Sequence, residues 1–135
     1  MLSGDVPILS PNEIPVASSY VFLDARAREE YEISHVEGAV WVGFDDFSAE
    51  RLPTLSTSDT VIVYCAIGYR SEKIASKLLN TTDAVVFNLY GGIFEWANQG
   101  LPMVDLSAKR VKKVHAYSPE WAIWLKKEFR TYGSK

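Results

Sequence analysis

The sequence predicts an α/β fold, with a mostly parallel sheet and helices on both of its faces. Three observations lead there. Short runs rich in β-branched residues alternate with segments of helical spacing, a pattern that needs helical crossovers and parallel pairing. The strand candidates read as buried. At 135 residues, with 47% hydrophobic and 23% charged side chains, the chain is one soluble domain with room for a real core.

Residues 20–25, with Val21, Phe22 and Leu23, read as a buried strand, and residues 28–34 as a short helix or helical turn. Residues 38–42 are a second strand candidate, and residues 45–59 read as loop with one helical turn. Val61, Ile62 and Val63 make residues 60–65 the clearest strand. In residues 71–79, Ile74, Ala75, Leu78 and Leu79 fall on one face, as a helix requires. Residues 84–91 form the next strand and end in a turn at Gly91 and Gly92. Residues 93–100 read as a helix stopped by Gly100, with Pro102 preventing its continuation. Near the end, Ser118 can cap, Pro119 suits a first helical position, and Glu120 suits the positive end of the dipole. Trp121, Trp124, Leu125 and Phe129 then share a stripe, so this segment reads as a helix packed on the sheet.

No apolar run is long enough to span a bilayer, and residues 1–15 lack the basic start and apolar core of a secretory signal. A single cysteine excludes an internal disulfide and fits a reducing compartment, so a cytoplasmic protein is expected, without membrane partners. One Cys and two His (His35 and His115) are too few soft ligands for a zinc site. Residues 1–108 hold six Lys/Arg against fifteen Asp/Glu, a net of −9, whereas residues 109–135 hold eight against two, a net of +6. The basic tail lacks interleaved base-stacking aromatics, so it reads as a solvated face neutralising an acidic body, with no nucleic-acid partner.

The chemistry concentrates after residue 64. A parallel strand would deliver Cys65 to its carboxyl end, where open α/β sheets place their ligand sites. The next helix starts near Arg70 or Ser71, so its positive dipole end faces the same crevice. Ala66, Ile67, Gly68 and Tyr69 make the intervening loop. Gly68 can take positive φ, which lets successive amides curl toward the sulfur as an anion nest. Arg70 adds a fixed charge, directed either into that cradle or out to an acidic residue. Each feature stabilises a thiolate, which argues for a reactive cysteine over an inert core one, with no local histidine base.

These residues carry a resemblance. Cys65-Ala66-Ile67-Gly68-Tyr69-Arg70-Ser71 resembles the Cys-x-x-Gly-x-Arg-Ser active-site loop of the rhodanese-like sulfurtransferase family. Residues 22–42 resemble its first signature: a strand ending Asp24-x-Arg26, then Glu30-Tyr31, then His35-x-x-Gly38-Ala39. Residues 88–102 resemble its closing signature: Gly91-Gly92, Trp96, then Gly100-Leu101-Pro102. The likeness covers residues 20–102 of a single domain spanning 1–135, and leaves 103–135 as a C-terminal extension read as helical.

The resemblance implies a mostly parallel five-stranded sheet and a persulfide on Cys65, cradled by the amides of residues 66–71. Sulfur would pass from a small donor to a thiol, cyanide or another protein's cysteine, with no metal or organic cofactor. It leaves the oligomeric state open. Ala66 stands where thiosulfate-using members often carry a basic residue, so thiosulfate is expected to be a poor donor. Glu37 stands where a proline is common in the family's turn. Asp24 and Arg26 are expected to support the site architecturally, with Arg26 paired to Glu29 or Glu30. His35 is expected to be a hydrogen-bonded turn residue.

Two rivals remain. A cysteine phosphatase or arsenate reductase would need five residues between Cys and Arg to surround a tetrahedral oxyanion, and here there are four. A non-enzymatic interaction module with the same fold is the other.

Overall fold

The computed structural model describes residues 6–14 and 20–132, so part of the leader reading on residues 1–15 lies outside the described residues. Strands β1 (Ile8–Leu9) and β2 (Val21–Asp24) precede helix α1 (Arg28–Ile33). Then come β3 (His35–Val36), β4 (Val40–Trp41), β5 (Thr60–Tyr64), α2 (Tyr69–Leu78), β6 (Val85–Leu89) and α3 (Gly92–Asn98). The C-terminal part holds β7 (Met103–Val104), β8 (Val114–His115), α4 (Pro119–Ala122) and β9 (Arg130–Thr131).

Five strands form a parallel sheet in the order β1-β6-β5-β2-β4. β5 lies at its centre, with Val61 to Tyr64 in register with β2 and Thr60 to Val63 in register with β6. Side chains alternate across this strand and build two cores. Val61 and Val63 pack with Leu23, Val86 and the Ile74, Ala75 and Leu78 face of α2. Ile62 and Tyr64 pack with Phe22, Leu89 and the Ile93, Phe94 and Trp96 face of α3. Burying each such aliphatic side chain contributes about 1.5–3 kcal/mol. Helices therefore cover both faces of a parallel sheet, the predicted class. Among the described residues, no helix is long and apolar enough to cross a membrane.

Two features depart from the reading of the sequence. The fifth strand, β1, lies on residues 8–9, too short to carry any periodicity. It exists because Asn88 and Tyr90 of the β6 end donate their amides to Pro7 and Leu9 (both 2.9 Å). The C-terminal extension is not helical beyond single turns. Ser118 does cap, with its hydroxyl accepting the Trp121 amide (3.4 Å), and Pro119 does open the helix. However, α4 stops at Ala122, and a lone 3-10 turn follows at Lys127–Phe129. Asn98 of α3 ends it: its amide nitrogen donates to the Trp124 carbonyl (3.0 Å), and its oxygen accepts from the Lys126 amide (2.9 Å). The expected stripe splits accordingly. Leu125 is buried, Trp121 and Phe129 are half-buried, and Trp124 is 62% exposed.

Candidate active site

β5 carries Cys65 to the carboxyl edge of the sheet, where the side chain is fully buried. Gly68 turns the chain into α2 with φ +112°, a conformation L side chains rarely adopt. In that turn the Gly68 amide donates to Cys65 Sγ at 3.0 Å. The Ser71 hydroxyl lies 3.4 Å from the same sulfur and 2.6 Å from Asn88 Oδ1. Asn88 is oriented by its own amide nitrogen, which donates to the Gly68 carbonyl (3.1 Å). Ser71 can therefore turn its proton to Asn88 while accepting from a thiol, or turn it to a thiolate.

The loop is held from behind by α3. The Ile93 and Phe94 amides donate to the carbonyls of Cys65 (2.9 Å) and Ala66 (3.1 Å). Close docking requires glycine at 92: a Cβ there would lie 2.5 Å from the Cys65 carbonyl oxygen, and its φ is +59°.

Of the loop residues expected around the sulfur, only Gly68 and Ser71 make hydrogen bonds to it. Ala66 is buried in the α3-side core, Ile67 is half-buried, and the Tyr69 ring points outward, 60% exposed. Arg70 takes the outward alternative. Its guanidinium grips Glu30 with two bonds (2.7 and 3.0 Å), and Tyr117 (4.6 Å) and Trp121 (5.6 Å) cover its face. Burial pulls Arg70 down, but the Glu30 hydrogen bond and charge, with Cys65 contributing, push it above its ordinary value. Burial pushes the Glu30 carboxyl up; Arg70, Arg26 and the Ala27 amide outweigh it and hold the group below 4.5.

Arg26 is not paired with Glu29 or Glu30. It binds Asp24, two residues earlier, through Nε (3.0 Å) and Nη2 (2.7 Å), and also donates to the Ser34 carbonyl (2.7 Å). The fork geometry of guanidinium and carboxylate favours this partner once both are sealed from water. The Tyr64 hydroxyl donates to Asp24 (2.6 Å) and accepts the Val36 amide (3.0 Å). Burial and the Asp24 charge push the Tyr64 hydroxyl well above 10. Asp24 is thus engaged by Arg26 and Tyr64 and makes no bond to the cysteine loop. His35 stacks on Tyr31 (3.9 Å) and donates to its carbonyl (3.0 Å), a turn-holding arrangement. Among the described residues, no three His, Cys, Asp or Glu side chains converge as a metal site.

No motif in the sequence joins Glu30, Asn88, Tyr117 and Trp121 to the cysteine loop. Asn88 had a signal, as a polar residue inside an otherwise apolar strand. Tyr117 holds a left-handed backbone (φ 69°), and its amide donates to His115 Nδ1 (3.0 Å). Nothing local in the sequence announces that conformation. Two cavities flank the loop: one of about 390 Å³ beside Gly68 and Asn88, and one of about 540 Å³ beside Tyr69 and Arg70.

The family model of the rhodanese-like domain matches residues 13–99. A tRNA uridine(34) hydroxylase from Yersinia enterocolitica is 36% identical over 93 residues, covering 62% of this chain and 26% of that protein. The chain therefore spans about a quarter of the length of the curated relatives it matches. A thiosulfate sulfurtransferase from Pseudomonas aeruginosa superposes with a TM-score of 0.63 at 25% identity, over 88% of this chain and 23% of that one. A rhodanese-like domain protein from Staphylococcus aureus gives 0.58 at 20% identity, over 67% and 91%.

Proposed function

Because the chain belongs to the rhodanese-like domain family, we propose that Cys65 carries a sulfane sulfur from a donor to a thiophilic acceptor. In the first half-reaction the Cys65 thiolate bonds to the donor's outer sulfur. The donor's own S–S bond breaks, and the remainder leaves with the electron pair, as sulfite from thiosulfate or as a thiolate from a persulfide. In the second, a thiolate or cyanide attacks the outer sulfur of the Cys65 persulfide and regenerates the thiolate. The chain has no second cysteine, so the acceptor comes from outside.

The Gly68 amide, 3.0 Å from Sγ within a four-residue loop, is the observation that carries this reading. A donor fixed by backbone suits a sulfur that must be anionic in both half-reactions, and the positive end of α2 adds to it. Ser71 would follow the sulfur's charge, with Asn88 holding its hydroxyl in place. Asp24 and Arg26 would act at a distance, by fixing the strand ends on which the loop stands.

Incubation with thiosulfate or an organic persulfide, followed by intact mass measurement, tests the reading. A gain of one sulfur, discharged by cyanide or a thiol and absent in Cys65→Ser, is expected. No adduct with any donor would overturn it in favour of a binding module. The 36% identity to tRNA uridine(34) hydroxylases favours a second reading, in which this domain serves uridine modification. Nucleoside analysis of tRNA incubated with the protein in air would reveal it as a Cys65-dependent hydroxylated uridine, with dioxygen supplying the oxygen atom and an added reductant the balancing electrons.

A further inference from the structure

Cys65 has no exposed surface, so a sulfur donor must approach through the openings beside its loop. On the Arg70 side, the cavity of about 540 Å³ is lined by Tyr69 and Arg70, neither of which bonds Sγ, and Tyr117 and Trp121 lie over the guanidinium. On the other side, Gly68 and Asn88 line the cavity of about 390 Å³. Gly68 is the residue whose amide bonds Sγ, and it has no side chain to obstruct passage. The cavity walls are apolar, formed by Ile8, Ile67, Tyr90 and Trp124, and among the described residues Glu95 is the one charged side chain lining it. The Glu95 carboxylate accepts from the Gln99 side-chain Nε2 (2.8 Å) and has no cationic partner among the described residues.

The cations nearby do not serve this mouth. Arg70 is committed to Glu30, and Lys73 lies over the Tyr69 ring (5.1 Å), outside the cavity lining. A dianion entering here meets a carboxylate that opposes it twice as strongly as a monoanion, beside walls that offer no replacement for its hydration. An apolar body finds the opposite conditions.

We propose that this mouth selects sulfur donors of low charge with an apolar body, organic persulfides of the form R–S–SH, over thiosulfate, with Glu95 and Trp124 as the selecting residues. The inference rests on the sulfur-transfer reading of Cys65 and names the donor class for it. The step balances without a co-reactant: the Cys65 thiolate bonds to the outer sulfur, the R–S–SH disulfide bond breaks, and R–S⁻ leaves with the electron pair. The leaving thiolate takes up the proton that the outer sulfur carried.

Loading of Cys65 is followed by intact mass over time, with thiosulfate and with benzyl persulfide, at several salt concentrations. The wild-type protein should load from benzyl persulfide at least about tenfold faster, and its thiosulfate rate should rise with salt as repulsion is screened. Glu95→Lys should raise the thiosulfate rate about tenfold and reverse its salt dependence, with benzyl persulfide changed less than about twofold. Glu95→Gln, which keeps the shape, should move the same way by less. Trp124→Ala should slow benzyl persulfide and leave thiosulfate unchanged. Equal rates from the two donors, or thiosulfate loading indifferent to both salt and Glu95→Lys, would overturn the selection while leaving sulfur transfer intact. Loading by neither donor would instead overturn sulfur transfer, and the selection with it.

Discussion

Glu30 joins two elements through one carboxylate. It accepts the Ala27 amide (3.0 Å) at the start of α1 and both Arg70 bonds from α2, with its side chain only 2% exposed. Removing one partner of such a pair strands the other charge away from water and costs about 3–5 kcal/mol. Glu30→Gln should therefore lower the unfolding free energy by about 3 kcal/mol at neutral pH, measured in urea. Its pH dependence follows from the folded carboxyl lying below 4.5. The stabilisation is fully present above that ordinary value and is lost as pH falls through the folded value. The gap between wild type and variant should close on acidification below 4.5, and a gap constant with pH would show that the charge is not what matters. The motif in the sequence located Arg70 but not its partner, because the two residues lie 40 positions apart. Arg26 illustrates the same limit at short range. Asp24, Glu29 and Glu30 were all within reach along the chain, and only burial geometry selected Asp24.

The elements most legible in the sequence were those whose period is decided by burial. β5, α2 and β6 follow their β-branched runs and apolar stripe closely, because a slip would exchange side chains between the two cores or turn the α2 stripe outward. The stripe at α4 is real, but its helical continuation is intercepted by Asn98, a side chain from another element. The cysteine loop was legible as a motif, whereas its support by α3 was not. Gly92 is where that support is testable. Alanine there would force an L side chain into φ +59° and drive its Cβ into the Cys65 and Ala66 backbone. Gly92→Ala should destabilise by at least about 2 kcal/mol and slow the loading of Cys65. A variant with wild-type stability and loading would show that α3 is free to retreat.

Across the whole molecule, the acidic body ends in a basic segment that closes over the carboxyl edge of the sheet. Val114, Ala116, Ala122 and Leu125 share a core with Tyr64, Ala66 and Ile93, so the extension is built into the layer that carries the cysteine loop. Its aromatic pair, Tyr117 on Trp121 at 4.3 Å, lies against Arg70. Such a pair contributes about 0.5–1.5 kcal/mol, so Trp121→Ala should ease local opening and speed alkylation of Cys65 by iodoacetamide up to about tenfold. An unchanged rate would place the opening elsewhere.

The parallel pairing of β8 with β9 carries a practical corollary. Arg130 and Thr131 hold Val114 and His115 in register, and Ala116 donates its amide to the Thr131 carbonyl (2.7 Å). Two residues near the end of the chain therefore anchor the strand that leads directly into Tyr117. Removing Arg130 and Thr131 would release that anchor, and with it the ring that covers Arg70.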